Sequence, residues 1–114
     1  MPDTPQLIFD AHLDMAWNAL EWNRDLLKSV AELREFENQF DGITPGDCTV
    51  SWEELRQGRI GMTISTLLPR LHRKDAALTH FQSRDAAYGA AHGQLAYYRS
   101  LVQRGVLREI TDSA

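Results

Sequence analysis

The sequence predicts a mixed α/β fold, in which two parallel strands are joined and followed by helices. Three observations lead there. Two short runs rich in strand-favouring residues, 7–12 and 59–67, stand well apart in the chain. Segments with helical spacing of apolar residues fill the interval and follow the second run. The hydrophobic share, 43% of 114 residues, is enough for one domain's core.

The first strand is the run Leu7-Ile-Phe-Asp-Ala-His12, entered through two prolines and read as buried. Alternation in an extended segment sets Asp10, His12 and Asp14 on one face, with Leu7, Phe9 and Ala11 on the other. Between residues 15 and 27, Trp17, Leu20, Trp22, Leu26 and Leu27 recur irregularly, so helix is expected only in part. Ser29 followed by Glu32 matches a capping box, with Val30, Leu33 and Phe36 at helical intervals, and places a helix over 29–38. The turn-rich stretch 41–47 reads as a loop within one domain.

Ser51-Trp-Glu-Glu54 opens a second box and a short helix over about 52–57, stopped by Gly58. The second strand then runs over 59–67 and ends before Pro69. The longest helical pattern covers 76–104, with Leu78, Phe81, Tyr88, Ala91, Leu95, Tyr98 and Val102 on its apolar stripe. A second stripe, Ala86, Gly89, Gly93, Ala96 and Ser100, predicts close packing that offsets the helix-weakening glycines. Gly105 ends this helix. Two strands make a small sheet, so the pattern reads as an incomplete α/β unit.

Composition excludes several classes. A chain this short holds neither two complete domains nor a whole (β/α)8 barrel, which takes about 250 residues. Its single cysteine, Cys48, forms no internal disulfide and no thiolate zinc site. The net charge of −4 argues against nucleic acid as a partner, the densest basic patch being Arg70, His72, Arg73 and Lys74. No run approaches a membrane span, and Met1-Pro-Asp-Thr-Pro-Gln lacks the basic start of a secretory signal, so the expected location is cytoplasmic.

For chemistry, the strongest pair is His12 and Asp14. One residue apart in an extended segment, an imidazole nitrogen and a carboxylate oxygen can converge on one divalent ion at about 2.0–2.2 Å. By spacing alone, an ordinary hydrogen bond at the end of a strand is the commoner use of such a pair. Asp10 either orients the histidine from behind or is a plain carboxylate at the strand end. His72, His80 and His92 read as surface or packing residues. Trp17, Trp22 and the segment 21–25 line a pocket mouth or belong to the core. Cys48 lacks a histidine partner for nucleophilic work, and Gly58-Arg-Ile-Gly61 is not a phosphate loop.

The stretch Phe9-Asp-Ala-His-Leu-Asp-Met-Ala-Trp17 resembles the first-strand motif of the membrane (renal-type) dipeptidase family of the amidohydrolase superfamily. The likeness continues through Trp22-Asn-Arg-Asp25, Thr49-Val-Ser-Trp-Glu-Glu-Leu-Arg-Gln-Gly58 and Arg59-Ile-Gly-Met-Thr-Ile-Ser65. The resemblance implies the first two strand–helix units of a metal-dependent-hydrolase (β/α)8 TIM barrel, with residues 1–114 as its N-terminal part. It also implies zinc-dependent hydrolysis of dipeptides or related small amides, with two Zn2+ ions in the full-length protein and His12 and Asp14 as ligands to one. The family's bridging glutamate, two later histidines and late acidic residue have no motif match here. The chain is therefore expected to be inactive alone. Some members of that family are dimeric, and the resemblance extends this expectation to a homodimer of the full-length protein. The alternative is a non-catalytic interaction domain, or a truncated remnant keeping part of the barrel framework.

Overall fold

The computed structural model describes residues 4–40, 48–70 and 81–113. The element order is β1 (Ile8–Leu13), α1 (Met15–Glu21), α2 (Val30–Glu37), α3 (Trp52–Gln57), β2 (Ile60–Ser65) and α4 (Arg84–Gln103). The chain divides into two compact units at Thr66. The first holds both strands and three helices, and the second holds α4.

In the first unit β1 and β2 pair in parallel, so the domain is mixed α/β with a small two-strand sheet. Among the described residues no third strand joins it, and no eight-stranded barrel is present. The register runs Ile8 to Ile60, Phe9 to Met62, Asp10 to Thr63 and Leu13 to Ser65. It slips twice. Gly61 is the extra residue on β2, where the bare backbone admits the Leu7 side chain: a Cβ there would meet Leu7 Cδ2 at 3.0 Å. The second slip falls between Asp10 and Leu13 on β1, where His12 lies.

The helices start where side chains satisfy their first free N–H groups. Ser29 accepts from the Glu32 N–H while the Glu32 carboxylate accepts from the Ser29 N–H at 2.8 Å, a complete capping box. Ser51 accepts from the Glu54 N–H to open α3. The Glu54 carboxylate also accepts the Val30 N–H of α2, at 3.2 Å to either oxygen, so one glutamate serves two helix starts. Trp52 N–H donates to Leu26 O at 2.9 Å. The buried apolar residues of this unit, including Met15, Ala16, Leu26, Leu33, Trp52 and Leu55, lie in the helices and their connections.

Several expectations need correction. β1 is not a buried strand: Ile8 and Phe9 are about half exposed, because the described sheet has two strands and its buried neighbours are helical. The expectation of helix over only part of 15–27 holds, α1 covering Met15–Glu21. Gly58 ends α3 as expected, with an ordinary negative φ, and the left-handed residue is Arg59, at φ 60°.

α4 begins at Arg84, after the expected 76, because Ser83 accepts from the Ala86 N–H and Phe81 N–H donates to Arg70 O at 2.7 Å. Residues 76–80 lie outside the described set, as do His72, His80 and the loop 41–47. The buried face of α4 carries Ala87, Gln94, Tyr98 and Leu101, one step round from the expected stripe, and Tyr88 is exposed. Among the described residues nothing lies within 4 Å of where a Gly89 Cβ would be, so none of them supplies the predicted close packing at that position. The helix closes on Gly105 at φ 74°, with Gly105 N–H donating to Val102 O at 3.0 Å and Val106 N–H to Leu101 O at 2.9 Å. These two bonds define a Schellman cap.

Candidate metal centre

The His12 and Asp14 side chains meet where β1 gives way to α1. Imidazole Nε2 stands 3.2 Å from Asp14 Oδ1, with the histidine largely exposed and the aspartate partly covered. Two ligands on a tetrahedral zinc, each about 2.0–2.1 Å from the ion, lie roughly 3.3 Å apart. The pair therefore fits two adjacent corners of a zinc site, one imidazole nitrogen and one carboxylate oxygen. The same separation suits a hydrogen bond from Nε2–H to the carboxylate. Among the described residues no group of three or more histidine, cysteine, aspartate or glutamate side chains could hold an ion, so the corners beyond these two are unfilled by the described chain.

Strand alternation alone does not produce this meeting. The irregular register across Asp10–Leu13 breaks the even stripe expected for Asp10, His12 and Asp14. Asp10 Oδ1 accepts the backbone N–H of His12 at 3.0 Å, so it acts on the main chain that carries the imidazole and not on the ring.

Asp14 occupies the N-cap of α1, yet its side chain makes no cap hydrogen bond. Ser29, Ser51 and Ser83 all cap their helices through the side chain. A capping interaction contributes about 1 kcal/mol, and the Asp14 carboxylate forgoes it for His12 and for the hydroxyl of Thr66, which donates to Oδ1. The Thr66 N–H also donates to Leu13 O at 3.1 Å, tying the end of β2 to the residue before Asp14.

A second chain of contacts reaches Asp14 from below. Its carbonyl accepts from the Asn18 N–H at 3.1 Å and from Asn18 Nδ2 at 2.9 Å. Asn18 Oδ1 accepts from Arg24 Nη1 at 3.1 Å, and Arg24 is paired with Glu37. Arg24 of the Trp22–Asp25 motif thus supports the backbone of the candidate ligand. Its guanidinium also sits 5.5 Å from the Trp22 ring, and Trp22 meets Trp17 edge to face. Asn23, Arg24 and Asp25 line a recess of about 280 Å³ with Lys28, Leu33, Phe36 and Glu37, while neither tryptophan lines it.

Asn18, Glu37 and Thr66 were not singled out by sequence reasoning. Asn18 lies four residues beyond Asp14, a helical neighbour that could have been inspected once α1 was recognised. Nothing local marks Thr66 or Glu37, whose partners are 52 and 13 residues away. Cys48 is buried, with Sγ near Val50 O at 3.4 Å, and takes no part in the pair. His92 stacks against Tyr88 on α4, with ring centroids 4.3 Å apart. No helix among the described residues is long and apolar enough to cross a membrane.

Comparisons of the chain with protein-family models, with curated proteins and with solved structures found no match.

Proposed function

We propose that the 114-residue chain is by itself a non-catalytic piece of α/β framework that carries two corners of a zinc site, and that dipeptide hydrolysis requires metal ligands from outside its described residues. The observation that carries this reading is the His12–Asp14 pair, whose 3.2 Å separation suits a shared ion but whose donors number only two. The first-strand resemblance supports the hydrolase side of the proposal, including two zinc ions, a (β/α)8 barrel and a homodimer of the full-length protein. Zinc bound at such a centre lowers the pKa of a bound water and polarises an amide carbonyl. In that setting His12 and Asp14 hold the ion, Thr66 and Asp10 orient them, and none of the four attacks the substrate.

A second reading, an interaction domain without catalysis, is favoured by the exposed apolar side chains of Ile8, Phe9, Met62 and Ile64 on the two strands. Both readings make the isolated chain inactive. A cytoplasmic setting belongs to the same proposal. Zinc stoichiometry and turnover of a dipeptide series by the 114-residue chain test it. We expect fewer than two tightly bound zinc ions and no turnover. Two tight ions with sustained hydrolysis would overturn the non-catalytic reading.

A further inference from the structure

We infer that Thr66 is the positioning residue of this centre: its hydroxyl, delivered by the end of β2, fixes the Asp14 carboxylate in the orientation that faces His12. The inference rests on the metal reading only for its consequence, since the orientation itself is a property of the protein without metal.

Asp14 stands at a helix N-cap, where an aspartate ordinarily turns its carboxylate back onto the N–H groups of the first turn. A cap of that kind would carry Oδ1 away from His12. Here no side-chain cap bond forms, and Oδ1 instead accepts the Thr66 hydroxyl while lying 3.2 Å from His12 Nε2. The hydroxyl is held in place by its own backbone, because the Thr66 N–H donates to Leu13 O at 3.1 Å, one residue before Asp14. The threonine Oγ1 is also 3.4 Å from that carbonyl. The strand end and the strand–helix junction are thus joined through both the main chain and the side chain of one residue. Carboxylates that ligate metals are commonly held by such a hydrogen bond, and its loss typically lowers metal affinity about 10–100-fold.

The test uses the whole 114-residue chain with Thr66→Val and Thr66→Ser, and Thr66→Ala as a second deletion of the hydroxyl should valine not fold. Scalar couplings report the Asp14 χ1 rotamer, and Zn2+ titration is followed through the His12 imidazole nitrogens. We expect one Asp14 rotamer in the parent and in Thr66→Ser, and rotamer averaging in Thr66→Val or Thr66→Ala with the backbone spectrum otherwise preserved. Zn2+ should shift the His12 nitrogens saturably in the parent, with about ten-fold weaker affinity once the hydroxyl is removed and near-parent affinity for serine. An unchanged Asp14 rotamer in the hydroxyl-less variants would overturn the positioning role. Rotamer averaging without any Zn2+ response in the parent would leave that role standing and remove the metal reading instead.

Discussion

Arg24 and Glu37 form a largely buried two-point ion pair, with Nε 2.5 Å from Oε1 and Nη2 3.2 Å from Oε2. Their side chains are only 6% and 4% exposed, so little solvent reaches either charge. Removing Glu37 takes the carboxylate from a buried guanidinium that still donates to Asn18 Oδ1, and breaking a buried pair of this kind costs about 3–5 kcal/mol. Glu37→Ala is expected to lower unfolding stability by that amount in urea titrations. The double change Arg24→Met with Glu37→Leu should recover most of it, because the isolated charge is gone.

The Glu54 carboxyl is held below its ordinary value, chiefly by the Ser51 hydroxyl and then by the Val30 N–H. A folded-state value lowered in this way gives stability that is present above the unfolded value and lost as pH falls through the folded one. Glu54→Gln should therefore be less stable than the parent at neutral pH, and the difference should shrink below about pH 4.5, the ordinary glutamate value. Denaturation midpoints of both proteins between pH 7 and 3 measure this. A difference independent of pH would show that the charge on Glu54 is irrelevant to its bridging role.

Arg59 adopts φ 60° immediately after α3. A left-handed conformation costs a side-chain-bearing residue about 1–2 kcal/mol, partly balanced by the larger unfolded-state freedom of glycine. Arg59→Gly should consequently raise stability by about 0.5–1 kcal/mol, whereas Gly105→Ala at φ 74° should lower it by about 1 kcal/mol. Thermal melts of the two variants should move in opposite directions.

In the second unit, the Gln94 amide pairs with both main-chain groups of Leu68: Oε1 accepts from its N–H at 2.5 Å and Nε2 donates to its carbonyl at 3.1 Å. The side chain is nearly inaccessible. Gln94→Leu keeps an apolar volume but strands two backbone groups, and should destabilise the protein by about 1–3 kcal/mol. Faster proteolysis near residues 67–70 would accompany it.

The starts of α2 and α3 were legible because each is written locally: Ser29 with Glu32, and Ser51 with Glu54, carry their capping chemistry within four residues. The two strands were legible from residue type, and His12 with Asp14 from their spacing. Burial was not. The exposure of Ile8 and Phe9 depends on how many strands and helices surround them, which no local pattern encodes. The start of α4 was misplaced because Leu78 and Phe81 fit the helical period, while Ser83 is where the side-chain cap forms. Thr66 and Glu37 escaped notice because their roles come from distant partners. The resemblance supplied the zinc and peptide chemistry, and no residue pattern alone leads to it.

The parallel pairing of β1 with β2 also bears on when the candidate centre forms. Pairing Ile8 with Ile60 closes a loop containing all three intervening helices before the first ladder bond is made. Locally capped turns of α2 and α3 need no such closure, while contacts between distant residues are slow to nucleate. Thr66 reaches Asp14 across 52 residues of chain, so the carboxylate acquires its orientation only when strand pairing is complete. The candidate centre is then expected to form late in folding, its geometry reporting on whether the unit has folded to the end.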